Sequence, residues 1–195
     1  MFLNNANYYF AGLLGISGLG HTNKPYRPMV NTNGKNCDVY YAYFPSTSYK
    51  IHELCKKILT ASGKIEGSGG SYDNYVGVMF GTGNTKPSSD DYWLSGERVS
   101  GLSSKNVTYT VNRSNDEAGS HYEIIYTISN TTDADITIGE IALIDALYRK
   151  ISSSSSQYWD NYMMERTSLD SPVTIPSAGV GQVTYRINMK WPTFA

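Results

Sequence analysis

The sequence predicts a mainly β protein: an antiparallel, jelly-roll-like β-sandwich with one short amphipathic helix and an N-terminal extension. Three observations lead there. From about residue 74 onward apolar side chains recur with a period of two, the mark of strands with one buried face. Turn signals at 115–119, 130–133, 152–156 and 176–181 break that pattern into short runs with no helical pattern between them. The chain also carries 17 Tyr and only 17% charged residues, against the usual ~25%, so its polarity comes from Ser, Thr, Asn and Gly. Tyr and Thr suit pleated surfaces, and Gly and Asn suit tight turns.

Taken in order, residues 1–35 form a Gly/Asn-rich stretch with an apolar patch but no sustained period. Such a segment cannot build its own core; it packs back on the body or extends onto a neighbour. Residues 37–44 read as a strand apolar on both faces. Residues 48–60 place Ile51, Leu54, Cys55, Ile58 and Leu59 at helical spacing and predict the one helix. Residues 63–70 are a Gly-rich loop, and 74–80 a largely apolar strand. Residues 105–112 alternate, with Val107, Tyr109 and Val111 on one face. Residues 121–129 put Tyr122, Ile124, Tyr126 and Ile128 on one face. In 182–191, Val183, Tyr185, Ile187, Met189 and Trp191 point inward; a one-residue slip would expose all of them. In 135–144, Ile136 and Ile138 keep one phase and Ile141 and Leu143 the other. That change predicts a bulge or bend at Gly139-Glu140.

A chain of 195 residues suits one domain, or one with an elaboration at its start. The expected division is an arm over 1–70 carrying one strand and one helix, and a sandwich over 71–195. With 16 basic and 17 acidic residues the net charge is -1, so no global field favours nucleic acid or an anionic membrane. Gly interrupts the N-terminal apolar run, and no Lys or Arg precedes Lys24, so the segment reads as neither signal peptide nor membrane span. Cys37 and Cys55 read as buried thiols. The sequons at Asn106, Asn112 and Asn130 read as chance in a Ser/Thr/Asn-rich chain.

The sequence carries no recognisable catalytic or ligand-binding constellation. His21, His52 and His121 lack ligand spacing. No G-x-S-x-G elbow occurs, and the Gly-rich stretches 15–20 and 80–87 lack the dinucleotide and phosphate-loop patterns. Asp90-Asp91 precede Tyr92-Trp93-Leu94 and read as a capped turn anchoring aromatics. No catalytic residue, cofactor or metal is therefore expected, and the chain reads as non-enzymatic. Candidate interaction residues are Tyr8, Tyr9, Phe10, Leu13 and Leu14 in the arm. Tyr92, Trp93, Tyr158 and Trp159 join them, expected in loops. Glu140 and Arg166 sit inside otherwise apolar strand sequences; they either pair between strands or stand as two solvent-facing charges.

Three segments carry a resemblance. VGVMFGTGNTKPSSDDYWLSGE (76–97) is a strand, a GTG turn and a Pro/Ser/Asp loop. YTISNTTDADITIGEIALID (126–145) is a strand, an Asn-Thr turn and a strand entering Gly-Glu-Ile. MMERTSLDSPVTIPSAGVGQVTYRINM (163–189) is an Arg-Thr-x-Leu segment, a Pro-Val strand, a Gly turn and a closing alternating strand. In that order they resemble a family of virion structural proteins of tailed bacteriophages, including podovirus-like and gut phages; residues 1–70 do not match. The resemblance implies a structural role in the particle: decoration, collar or neck, tail or fibre-anchoring subunit. Its partners would be copies of itself, as a homo-oligomer, and other virion proteins, without nucleic acid or membrane. It would be assembled in the host bacterial cytoplasm and reside in the virion. Gly81 and Gly83 would supply a turn with positive φ. The alternatives are a carbohydrate- or receptor-binding module using the loop aromatics, and a glycan-cleaving enzyme, for which the sequence offers no paired carboxylates.

Overall fold

The structure is a computed structural model and describes residues 29–37, 58–59, 76–112, 120–150 and 157–189. It is built from antiparallel strands, with no helix among the described residues. Met29–Val30 (β1) and Asn36–Cys37 (β2) form a small hairpin. Gly77–Gly81 (β3), Ile136–Lys150 (β6) and Gln157–Ile175 (β7) form one sheet in the order β3-β6-β7. Leu102–Asn112 (β4), Ser120–Asn130 (β5) and Val180–Met189 (β8) form a second, in the order β4-β5-β8.

The chain thus passes from an edge of the first sheet (β3) to an edge of the second (β4). It returns through both central strands, β5 then β6, and finishes on the opposite edges, β7 then β8. Side chains of both sheets meet in one apolar cluster. Val78, Phe80, Ile138, Ile141, Leu143 and Ile175 come from the first sheet; Ile124, Tyr126, Ile128, Val183 and Tyr185 come from the second. The expected alternation holds wherever side chains are described: Val183 and Tyr185 are buried, while Gln182, Thr184 and Arg186 are exposed.

The first sheet is covered on its other face too, where Met79, Ala142, Ile144 and Met163 pack under Leu59, Leu94 and the half-buried Trp93. Two covered faces explain why β3 is apolar at successive positions. They also correct the end of the expected helix. Ile58 forms a parallel bridge with Val78, and Leu59 N–H donates to Val78 O. Ile58 packs on the inner cluster and Leu59 on the outer one, so they lie on opposite faces of the sheet. Helical spacing placed them side by side; extended pairing separates them. Residues 48–57, the strand expected beyond Cys37 and the 152–156 serine run lie outside the described residues.

The phase change in β6 is real. Ile136, Ile138, Ile141 and Leu143 all reach the same inner cluster although two are even and two odd. The ladder shifts between Ile138 and Glu140, where β7 accommodates three extra residues: Ile138 pairs with Val173 and Glu140 with Ser168, so four residues of β7 stand against one of β6. A second shift between Leu143 and Ile144 leaves Met164 as the extra residue. The additional chain is therefore on β7, not β6. Pro172 fits in that excursion because β7 is an edge strand.

Candidate functional site: a buried latch beneath the 82–101 loop

Alternation along β6 and β7 decides which charges meet. Inward positions of β6 (Ile141, Leu143) and outward ones (Ala142, Ile144) are fixed by the two clusters, so Glu140 points outward, toward the connection running from β3 to β4. Arg166 lies opposite Ala142 and shares that face. Both are fully buried. Arg166 Nε donates to Glu140 Oε2 at 2.6 Å, so the two pair directly.

The loop is built around this pair. Glu140 accepts further hydrogen bonds from Gly83 N–H (3.2 Å), Gly96 N–H (2.8 Å), Ser95 N–H (3.1 Å) and the Ser95 hydroxyl (3.0 Å). Arg166 Nη2 donates to Thr85 O (2.9 Å) and Thr85 Oγ1 (3.0 Å), and Nη1 to the Asp91 carboxylate. Asp91 also accepts from Ser88 N–H, closing the 88–91 turn together with Asp91 N–H to Ser88 O. The expected capped turn is present, and it anchors Trp93 and Leu94 onto the outer cluster. Burial alone would push the Glu140 carboxyl up. Hydrogen bonds from Gly96, Arg166 and Ser95, with the Arg166 charge, outweigh it and hold the group below its ordinary value.

The glycines here serve closeness, not turn geometry. Among the described glycines positive φ occurs at Gly34, Gly77 and Gly101, and not at Gly81 or Gly83 as expected. Gly81 lies directly opposite Glu140 in the ladder, and a Cβ there would come within 2.7 Å of Glu140 Oε1. A Cβ on Gly83 would meet the same atom at 2.4 Å and Gly96 N at 2.4 Å. Having no side chain at Gly83 and Gly96 lets their N–H groups converge, with that of Ser95, on one carboxylate.

A second polar contact crosses the interior. Glu165 lies opposite Leu143 and so faces the inner cluster, where it accepts from the Tyr185 hydroxyl of β8 and from Thr167 Oγ1 (2.6 Å). The sequence offers no sign of this, because Glu165 and Arg166 are adjacent and the bulge at Met164 sets which of them turns inward. At one end of the molecule the buried Asn130 amide donates to Ala134 O, Ile175 O and Pro176 O and accepts from Thr132 N–H and Oγ1. With every side-chain polar atom engaged and 3% of the residue exposed, this sequon has a structural use.

Of the candidate interaction residues, Tyr92 is exposed on the loop, and its ring lies against Gly34 of the β1–β2 turn. Trp93 is half-buried on the outer cluster. Tyr158 and Trp159 lie within β7 opposite Arg149 and Tyr148, not in a loop, because strand pairing with β6 resumes at Gln157. Tyr8, Tyr9, Phe10, Leu13 and Leu14 lie outside the described residues. Among the described residues no group of three His, Cys, Asp or Glu side chains is placed to hold a metal. Comparison with known proteins finds no matching family model, no matching curated protein and no matching solved structure.

Proposed function

We propose that the chain is a structural subunit of a tailed-phage virion, a jelly-roll-like sandwich acting through subunit–subunit contacts. One observation carries this reading. The Gly81/Gly83–Asp91–Ser95–Gly96 group, Glu140 and Arg166 come from the three separate segments that resemble phage virion proteins, and they meet in one buried latch. The three segments are thus tied together by one buried cluster, which supports reading them as a unit. Its polar atoms are committed to holding a loop in shape, which is scaffold chemistry: the carboxylate and guanidinium already have their partners. Sparse charge and abundant Tyr suit wide uncharged contacts with neighbouring subunits.

The glycan-binding alternative needs several aromatic rings aligned on a surface. Trp93 packs on the outer cluster, and Tyr92 is the exposed aromatic of the described 82–101 loop, which favours the subunit reading. The test is light scattering and electron microscopy of the full chain, with a glycan array alongside. Symmetric oligomers or arrays with a silent glycan array are expected. A monomer at every concentration that binds glycans would overturn the reading.

A further inference from the structure

The two sheets have four edges, and three are blocked against further strand pairing. β3 is bridged by Ile58 on one side and by Arg98 through Gly81, with Val99 N–H donating to Phe80 O. β4 is interrupted by a register shift that leaves Lys105, exposed, as an extra residue. β7 carries both irregularities of its ladder and Pro172, and the hairpin's Thr32 N–H is bonded to Asn161 O. Bulges, lysines and prolines are the usual means by which edges resist strand addition.

β8 has none of these. Its ten residues pair with β5 in unbroken register, and among the described residues β5 is its one strand neighbour. Alternate residues of such an edge direct N–H and C=O groups away from the sheet. The exposed side chains are Val180 (56% exposed), Gln182 and Thr184, all uncharged, followed by Arg186.

We infer that the β8 edge pairs antiparallel with β8 of a second copy, about a twofold axis at Gln182. The inference rests on the subunit reading above and names the surface and the partner. A residue on the axis faces its own copy, so it must be uncharged and able both to donate and to accept; the Gln amide does both. The same register sets Val180 beside Thr184 of the second copy, a favourable β-branched pair. It carries Arg186, whose charge is balanced within its own subunit by Glu123 (Nε to Oε2, 2.7 Å), to the partner's 176–179 turn, which brings no lysine or arginine against it. No like charges oppose each other. A pairing of this length buries less than the ~1,600 Å² of a standard stable interface. Association in solution is therefore concentration-dependent and gains strength by repetition in an assembly.

The test is sedimentation velocity on the full chain over a concentration series, with Gln182→Lys, Gln182→Glu and an equimolar mixture of the two. Thr108→Lys, on the interrupted β4 edge, is the control. Self-association of the native chain and of the control is expected. Each single charge at 182 should weaken it by about tenfold or more, since like charges then meet on the axis, and the mixture should recover it. Thermal melts of each variant separate this from misfolding, because position 182 is exposed. Self-association indifferent to charge at 182, or a mixture that fails to recover, overturns the β8 pairing and leaves the subunit reading standing. A native chain that is monomeric at every concentration overturns both.

Discussion

Glu140 shows how much one buried carboxylate can organise. Its oxygens are shared among Arg166, Ser95, Gly83 and Gly96, so replacing it leaves a buried guanidinium and several loop N–H groups with a weaker acceptor. Glu140→Gln is expected to cost about 3–5 kcal/mol, the range for breaking a buried ion pair by removing one charge, read by denaturant unfolding. The pH dependence follows from the lowered carboxyl. Between the folded and unfolded pKa values the unfolded chain binds more protons, so stability rises with pH there. The Glu140 contribution is complete above the ordinary glutamate value of about 4.3 and fades as pH falls through the lower folded value. Unfolding curves of the native chain and Glu140→Gln should therefore converge on acidification below that point. A gap that stays constant to low pH would show that the charge is not the source of the stabilisation.

At the scale of elements, β6 and the 82–101 loop depend on each other through Gly139. A Cβ at that position would come within 2.5 Å of Gly83 O and 2.8 Å of Thr82 O. These are backbone atoms, fixed by Thr82 N–H to Glu97 O and by the latch, so the loop must shift to admit a methyl group. Gly139→Ala is expected to destabilise by about 1–3 kcal/mol, the range for overpacking. It should also open the loop to limited proteolysis between residues 84 and 90, where the chain is mostly exposed. Unchanged protection would mean that the loop does not depend on this close approach. Periodicity marked the phase change at Gly139-Glu140, since four isoleucine and leucine positions on one strand cannot share a face without one. It could not assign the extra residues to β7, because a register mismatch belongs to two strands and only their pairing says which one lengthens.

Across the whole molecule, the inner cluster draws side chains from both sheets, with Phe80 and Tyr126 in edge-to-face contact at 5.7 Å and 88°. Neither sheet can keep that face covered without the other, so the two should unfold together. Phe80→Ala is expected to lower stability by about 3–5 kcal/mol, with tyrosine fluorescence and far-ultraviolet circular dichroism moving in one coincident transition. Separate midpoints for the two signals would show that the sheets are independent. The described parts of the first 70 residues join this body: Leu59 lies in the outer cluster, Arg98 donates to Leu59 O, and Thr32 bonds to β7.

The β class, the inward faces of β5 and β8, the turn at Asn130 and the bend in β6 were all legible in the sequence. Each is a local consequence of a two-residue period or of a turn residue. The Glu140–Arg166 pair was half-legible: two charges in apolar strands invite a partner, yet solvent-facing charges would look the same in one dimension. Tertiary structure decided the rest. It made Gly81 and Gly83 matter for what they leave room for, turned Glu165 inward and Arg166 outward beside the bulge at Met164, and drew Ile58 and Leu59 to opposite faces of a sheet. The reason is common to all of these. Period and propensity describe a residue's neighbours along the chain, whereas burial, close approach and register are set by segments dozens of residues away.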